Sequence, residues 1–180
     1  MRVITGSARG RTLETLAGSD VRPTVDRVKE AVFSIIQFEL EGRRVLDLFG
    51  GSGQLAIEAL SRGAASATIL DNSRRSIDVI RRNLQTTKLA DRAVVLEADA
   101  LAFVRNNRST FDIAFLDPPY GSGLLQKALP DLAARMAPGG VIVCESPVGE
   151  ELPDPIGAYR LYRTYRYGKT QISVYRDTDI

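Results

Sequence analysis

The feature that most constrains the fold of this chain is a unit of apolar run, glycine turn and helical segment that recurs between residues 44 and 145. In the first unit, the apolar run from Arg44 ends in Gly50-Gly51-Ser52-Gly53, and apolar residues then recur at helical spacing up to Leu60. Strands that alternate with helices of this length form parallel sheets through right-handed crossovers. We therefore expect an α/β fold with a mostly parallel sheet and helices on both faces.

The later units repeat this form, and the two chain ends lie outside it. The pattern predicts strands at 67–70, 94–96, 111–116 and 141–144, and helices at 74–84, 100–104 and 124–136. Residues 1–24 have the pattern of a small β-hairpin or arm, and a helix with an apolar face follows from Val25 to Ile36. Residues 159–176 alternate around Gly168 and predict a C-terminal antiparallel hairpin. We thus divide the chain into an arm of residues 1–24 and an α/β domain of residues 25–180.

The composition excludes several kinds of catalytic site. The 180 residues include no His and one Cys, which rules out Ser-His-Asp or Cys-His catalysis within the chain and a structural zinc site. We expect no metal. No apolar run approaches the ~20 residues that span a bilayer, and the first residues lack a signal-peptide core. We expect a cytoplasmic protein without a membrane partner.

The charge distribution is uneven although the net charge is only +2. Residues 1–13 contain Arg2, Arg9 and Arg11 and no acid, and residues 159–176 contain five basic side chains and no acid. Both ends fit a surface that faces phosphates, although neither requires one.

The glycine turn matches the fingerprint of nucleotide-type cofactor sites. Gly51-Ser-Gly53-Gln-Leu-Ala56 satisfies G-x-G-x-x-[G/A] between a strand and a helix, and Asp71 follows 20 residues later at the end of the next strand. This spacing places a carboxylate over the ribose of a cofactor bound at the carboxyl ends of the strands. The fingerprint alone does not separate NAD from other adenosine cofactors.

Asp47 favours a cofactor with a cationic end. It stands inside the strand, where its charge would repel a pyrophosphate but attract the ammonium and sulfonium of S-adenosylmethionine. Asp99, followed by Ala100, ends the third strand near the expected position of the adenine amino group. Three acids in register at successive strand ends favour a site for S-adenosylmethionine.

The turn Asp117-Pro118-Pro119-Tyr120 ends a strand on the same rim. Its two prolines fix φ and remove two N–H donors, so the loop offers acceptors without competing donors. The Asp117 carboxylate and the Pro118 carbonyl can hold the two N–H bonds of an exocyclic amino group. The Tyr120 ring can stack on an extruded base, an interaction worth ~1–3 kcal/mol in comparable sites.

The glycine motif Asp47-Leu-Phe-Gly-Gly-Ser-Gly together with Asp-Pro-Pro-Tyr resembles the class I S-adenosylmethionine-dependent amino-methyltransferases. That group includes DNA adenine and cytosine enzymes, rRNA guanine-N2 enzymes and a protein glutamine enzyme. The segment Arg22-Pro-Thr-x-Asp-Arg-Val-Lys-Glu-Ala-Val-Phe33, preceded by Gly6-x-x-x-Gly10-Arg11-x-Leu13, resembles the RsmD family of bacterial 16S rRNA guanine-N2 methyltransferases. The likeness extends over nearly the whole chain.

The resemblance implies a monomeric Rossmann-like domain with a seven-stranded sheet and an N-terminal extension that contacts RNA. It implies methylation of a guanine of the guanine-966 class in the 16S rRNA of the small ribosomal subunit, with or without ribosomal proteins. Gly51 stands where the family often has Ala, which we expect to be harmless in a turn. The residues that the resemblance and the preceding patterns assign are Asp47, Phe49, Gly51, Gly53, Asp71, Asn72, Asp99, Ala100, Thr24 and Arg27 for the cofactor, Asp117, Pro118, Pro119 and Tyr120 for the target base, and Arg2, Arg9, Arg11 and Arg22 for RNA.

Other functions remain open at the level of the sequence. An amino-methyltransferase of this kind could act on adenine or cytosine of DNA, although the chain has no second domain to read a DNA groove. Another RNA or a protein is also an open acceptor. A nicotinamide-dependent oxidoreductase would leave Asp47 and the Asp-Pro-Pro-Tyr turn without a role. A non-catalytic RNA-binding factor would be expected to have lost these motifs.

Overall fold

The computed structural model describes residues 1–16 and 23–178, except for the side chains of residues 23 and 24. The elements follow one another as α1 (Pro23–Ile35), β1 (Arg44–Asp47), α2 (Gln54–Ser61), β2 (Ser66–Asp71), α3 (Arg74–Thr87), a 3-10 turn (Ala90–Arg92), β3 (Ala93–Glu97), α4 (Ala100–Asn106), β4 (Phe111–Leu116), α5 (Leu124–Ala133), β5 (Met136–Pro147), β6 (Tyr159–Tyr167) and β7 (Thr170–Asp177).

These seven strands form one sheet in the order β3-β2-β1-β4-β5-β7-β6. The first five strands in this order are parallel to one another, and β7 runs antiparallel to both β5 and β6. The α/β fold with a mostly parallel seven-stranded sheet and a C-terminal antiparallel hairpin is therefore confirmed. The chain order reverses between β1 and β4, which is where open α/β sheets form a ligand crevice beyond the carboxyl ends of their strands.

The sheet is covered on both faces because its parallel strands are apolar on both faces. Val45, Ile69 and Phe115 pack with α1, α2 and α3 in one buried cluster. Leu46 and Leu70, one position along the same strands, pack with α4 and α5 in the other. Within the residues that the structure describes, no helix is long and apolar enough to cross a membrane.

The predicted end of the fifth helix is wrong, and α3 runs on to Thr87 beyond its predicted end at residue 84. We expected a helix from 124 to 136, but α5 ends at Ala133, and Met136 already pairs with Phe111 of β4. The backbone N–H of Phe111 donates to the carbonyl of Arg135 at 3.0 Å, so sheet pairing takes over immediately after the helix. The strand β5 is accordingly longer than the predicted 141–144, with a register shift near its start.

The first 16 residues form an arm with a single antiparallel bridge between Arg2 and Thr12. Its apolar side chains Val3 and Leu13 are buried in the same cluster as α1 and α2. At the arm's turn Gly6 has a φ of +95°, and a Cβ there would lie 1.9 Å from the carbonyl oxygen of Ser61. The arm is thus packed tightly on α2. The proposed domain boundary at residue 24 stays a prediction.

A buried acid of α2 joins this helix to the arm and to α1. The carboxylate of Glu58 accepts hydrogen bonds from the backbone N–H groups of Ile4 and Thr5 at 2.8 and 3.0 Å. Its oxygens also lie 3.2 Å from Lys29 Nζ and 2.9 Å from Arg62 Nε. Burial alone would raise the pKa of Glu58, but these donors and cations outweigh it and hold the pKa below its ordinary value.

Replacing Glu58 by alanine should destabilise the protein severely, because the change leaves Lys29 and two backbone N–H groups buried without their partner. We expect Glu58→Ala to lower the free energy of unfolding in urea by about 3–5 kcal/mol. The matched control is Glu30→Ala on the exposed face of α1, which should change stability by less than about 0.5 kcal/mol. Equal effects of the two changes would contradict the role given to Glu58.

Candidate functional site

A cleft of about 370 Å³ lies at the carboxyl edge of the sheet. The loops that follow β1, β2, β3 and β4 form its walls, because parallel strands all end at this edge. The residues that line it are Leu48, Phe49, Gly51, Asp71, Asn72, Ala98, Asp99, Ala100, Asp117, Pro118, Pro119 and Leu124. The structure thus brings together most of the side chains that the sequence assigned to the cofactor, and places the Asp-Pro-Pro turn at the same cleft.

The glycine turn lets β1 approach the neighbouring strand closely. The N–H of Gly50 donates to the carbonyl of Leu70 at 2.6 Å, and a Cβ on Gly50 would lie 2.6 Å from the Ile69 side chain. Gly51 and Gly53 have φ values of +59° and +81°, which favour glycine. A Cβ on Gly51 would meet nothing within 4 Å, so this residue leaves open space where it lines the cleft.

Two of the predicted acids are held in place by nearby backbone groups. Asp71 accepts hydrogen bonds from the N–H of Gly51 at 3.0 Å and from that of Ser73 at 2.9 Å. Asp99 caps the start of α4 by accepting from the N–H of Ala102 at 2.9 Å. Each acid therefore has a local structural task, and each still lines the cleft. The two carboxylates are fixed before any ligand binds.

Asp47 differs from these acids because its carboxylate has no hydrogen-bond partner. The residue is 1% exposed, and neither side-chain oxygen accepts a hydrogen bond within the described structure. Burial, and then the charge of Asp117, raise the pKa of Asp47 to about 7, although the nearby N–H of Ala56 partly offsets this. A buried carboxylate without donors is costly, and Asp47 adjoins the cleft through the lining residues Leu48 and Phe49, so its retention there indicates a ligand that brings a cation.

The turn after β4 places a rigid loop and an aromatic ring beside the cleft. Pro118 is buried, whereas Tyr120 is 53% exposed. The Tyr120 hydroxyl lies 3.0 Å from the hydroxyl of Thr170 at the start of β7. This hydrogen bond fixes the end of the ring while leaving much of the side chain accessible to a planar ligand.

The sequence analysis missed Glu145, which lies beside Asp117. Leu116 pairs with Cys144 across β4 and β5, so the next residue of each strand comes to the same point on the edge. The two carboxyls interact directly, and burial raises the pKa of both. The Asp117 charge raises the pKa of Glu145 further, so we place the shared proton on Glu145, which donates it to the Asp117 carboxylate.

Asp117 and Glu145 also face a smaller cavity of about 120 Å³ on the side of α1. Gln54, at the start of α2, forms part of the same wall, and its Oε1 atom is buried without a hydrogen-bond partner. The remaining lining residues are Val25, Val28, Lys29, Val32 and Leu55. Neither Gln54 nor Glu145 was assigned from the sequence.

Several predicted site residues lie away from the cleft or outside the described residues. Arg27 is exposed on α1, because the adjacent Val28 and Lys29 occupy the buried face of that helix. Arg22 and the side chain of Thr24 lie outside the described residues. Arg2, Arg9 and Arg11 are exposed on the arm, whose turn packs against the end of α2 remote from the glycine turn. Across residues 1–16 and 23–178, no group of three or more acidic or cysteine side chains is placed to hold a metal ion.

The chain is similar to known proteins over nearly its whole length. A family model described as conserved hypothetical protein 95 matches residues 1–176. The YlbH protein of Bacillus subtilis is 39% identical, with 98% of each chain covered. The ribosomal RNA small subunit methyltransferase D of Escherichia coli is 34% identical over 98% of this chain and 89% of its own length. The solved structure of yhhF from Escherichia coli superposes with a TM-score of 0.86 at 34% identity, covering 98% of this chain and 97% of that one.

Removing the charge of Asp47 should stabilise the ligand-free protein at high pH. The folded protein keeps a proton on Asp47 up to about pH 7, whereas the unfolded chain loses it near pH 3.9. The contribution of Asp47 to stability therefore falls as the pH rises through this window. We expect Asp47→Asn to exceed the parent by about 1–3 kcal/mol in unfolding free energy at pH 8, with the difference vanishing below about pH 4.

The control for this comparison is Asp91→Asn, which changes an exposed acid of the 3-10 turn. That variant should track the parent across the whole pH range. A stability difference for Asp47→Asn that stays constant with pH would contradict the assignment of an uncompensated buried carboxyl.

Proposed function

Because the chain belongs to the RsmD family, described as conserved hypothetical protein 95, we propose that it transfers a methyl group from S-adenosylmethionine to the N2 amino group of a guanine in small-subunit rRNA. The observation that carries the proposal is the unpartnered carboxylate of Asp47, directly before the cleft residues Leu48 and Phe49, together with the rigid Asp117-Pro118 acceptor pair that lines the same cleft. One end of the cleft suits a cation and the other suits an amine.

The residues of the cleft fit the chemical groups of S-adenosylmethionine. Asp47 would face the ammonium, which supplies the positive charge that this carboxylate lacks. Asp71, held by the N–H groups of Gly51 and Ser73, would accept from the ribose hydroxyls. Asp99 and Ala100 border the part of the cleft left for the adenine. When bound, the cofactor supplies a methyl group on a sulfonium that is already a good leaving group.

The Asp117-Pro118 turn would orient the target amine. The Asp117 carboxylate and the Pro118 carbonyl accept its two N–H bonds, so that its lone pair points along the cleft toward the methyl group. In well-oriented intramolecular reactions such alignment supplies ~7–11 kcal/mol of the barrier. Transfer then needs no strong base, in agreement with a chain that has no His. Asp117 or water takes the surplus proton, and Tyr120 supports the base by stacking.

The substrate class is drawn from the relatives and from the charge of the arm. The Escherichia coli relative is named for the small-subunit rRNA, and the arginines of the arm are exposed. We propose a monomer that acts in the cytoplasm on 16S rRNA within the assembling 30S subunit, at a guanine of the guanine-966 class. The alternatives are adenine or cytosine of DNA, another RNA, or a protein acceptor.

The test is methyl transfer from labelled S-adenosylmethionine to three acceptors in parallel: undermodified 30S subunits, naked 16S rRNA and duplex DNA. Nucleoside analysis of the product should place the label in N2-methylguanosine, with the highest yield on the subunit. Label in methyladenine or methylcytosine of DNA would overturn the proposed substrate. Cofactor binding without label in any acceptor would shift the search to a protein acceptor.

Asp117→Ala should abolish transfer and leave cofactor binding nearly intact, because Asp117 holds the amine rather than the cofactor. We expect the single-turnover rate to fall by at least about a hundredfold, and the affinity for S-adenosylhomocysteine to stay within about threefold. Asp131→Ala on α5 is the control and should change neither quantity. Loss of S-adenosylhomocysteine binding in Asp117→Ala would contradict the role.

Charge reversal on the arm should weaken RNA binding in a salt-dependent way. We expect the double variant Arg9→Glu and Arg11→Glu to bind 16S rRNA less tightly at low salt, with a shallower dependence of log Kd on log salt concentration. The matched control reverses two exposed arginines of α3, Arg75→Glu and Arg81→Glu, which changes the net charge equally. Equal losses in the two double variants would show a general charge effect rather than a contact of the arm.

A further inference from the structure

We infer that Glu145 reads the N1–H of the target guanine and thereby makes the site selective for guanine over adenine and cytosine; this inference rests on the proposed guanine-N2 transfer. No pattern in the sequence marks Glu145 for this task. Its position follows from the register of β4 and β5, which sets it beside Asp117.

The Asp117 and Glu145 carboxyls together present two free acceptors. One oxygen of each group is used in the proton that they share. The second Asp117 oxygen remains for the target amine, and the second Glu145 oxygen remains for a neighbouring donor. Glu145 lines both the α1-side cavity and the space beside Pro118, Pro119 and Tyr120. Glu145 thus borders the loop that would receive the base.

Two further side chains near this pair offer acceptor oxygens, those of Gln54 and Glu150. On α2, Gln54 offers a buried Oε1 atom without a partner. On α1, Lys29 is the one cation that lines the cavity among the described residues, but its Nζ is held at 3.2 Å by both Glu58 and the Arg2 carbonyl. Glu150, which follows β5, lines the space beside Pro118, Pro119 and Tyr120 together with Glu145. The cavity therefore suits a ligand edge that donates hydrogen bonds.

Only one of the three amino-bearing bases has such an edge. Guanine places N1–H beside its N2 amino group, so two adjacent donors face the two acceptors. Adenine and cytosine place a ring-nitrogen lone pair beside their amino group, and that lone pair would face the free Glu145 oxygen. The mismatch leaves the Glu145 oxygen and the ring-nitrogen lone pair facing each other without a donor between them, which weakens binding of the wrong base. Selectivity against adenine and cytosine follows from this repulsion.

The experiment is a double-mutant cycle in which the protein and the target base are changed separately and together. The guanine that the parent chain methylates is mapped first, and the rRNA segment that contains it is synthesised with guanine or 2-aminopurine at that position and ligated into 16S rRNA. The ligated RNA is assembled into subunits before assay. Because 2-aminopurine keeps the N2 amine but has a lone pair at N1, the ratio of single-turnover rates on the two RNAs measures the reading of N1–H.

Two substitutions distinguish reading of the base from a structural role. Glu145→Leu removes the acceptor, and we expect it to lower the rate on guanine by about 10- to 100-fold without lowering the rate on 2-aminopurine. Glu145→Gln preserves both contacts, because its NH2 can donate to Asp117 while its oxygen accepts from N1–H, and it should keep the parent ratio within about threefold. Glu151→Leu, an exposed acid nearby, is the matched control and should leave both rates unchanged.

The possible failures are separable. Equal losses on guanine and 2-aminopurine in Glu145→Leu, or no loss on guanine, would overturn the role of Glu145 while the proposed function stands. A parent chain that methylates no guanine would overturn the proposed function, and this inference with it. Binding of S-adenosylhomocysteine, measured in every variant, shows that the fold and the cofactor cleft are intact.

Discussion

The burial of uncompensated negative charge at the carboxyl edge of the sheet is the constraint on which the site depends. Asp47 ends β1, Asp117 follows β4, and the parallel arrangement brings the two carboxyls close together, with Asp117 lining the cleft. Each would be more stable in water, and their mutual repulsion raises the pKa of Asp47. The sheet is stable enough to hold them because it packs an apolar cluster on each face. A cation at one end of the cleft and an amine at the other relieve this cost.

Glu58 and Asp47 show why burial alone does not mark a functional acid. Both residues are almost completely buried, at 0% and 1% exposure. Glu58 accepts two backbone hydrogen bonds and contacts two cations, so its pKa is lowered and its charge joins the arm to α1 and α2. Asp47 has no such partners, and its pKa is raised. The partners of a buried acid, rather than its depth, separate a structural role from a binding role.

The sequence predicted the parts of the site whose position follows from local chain geometry. A glycine turn after a strand and an acid at the next strand end lie within one βαβ unit, so Gly51 and Asp71 could be placed together from their spacing. Glu145 could not, because its neighbour is set by the register between β4 and β5, which no spacing encodes. The end of α5 was wrong for the same reason, since sheet pairing at Met136 overrides the apolar periodicity. The arginines of the arm were predicted as a basic group. The arm packs on the end of α2 remote from the glycine turn, so these arginines lie away from the cleft.

The most direct measurement compares the affinities of S-adenosylhomocysteine and 5′-methylthioadenosine between pH 5 and pH 8. The two ligands share the adenosine part, but only the first has an amino-acid end with an ammonium that would face Asp47. If the cleft holds an unpartnered carboxylate for that cation, protonation of Asp47 below about pH 7 should weaken binding of S-adenosylhomocysteine by up to about tenfold per pH unit. Binding of 5′-methylthioadenosine should stay nearly constant. The same pH dependence for both ligands would contradict the account.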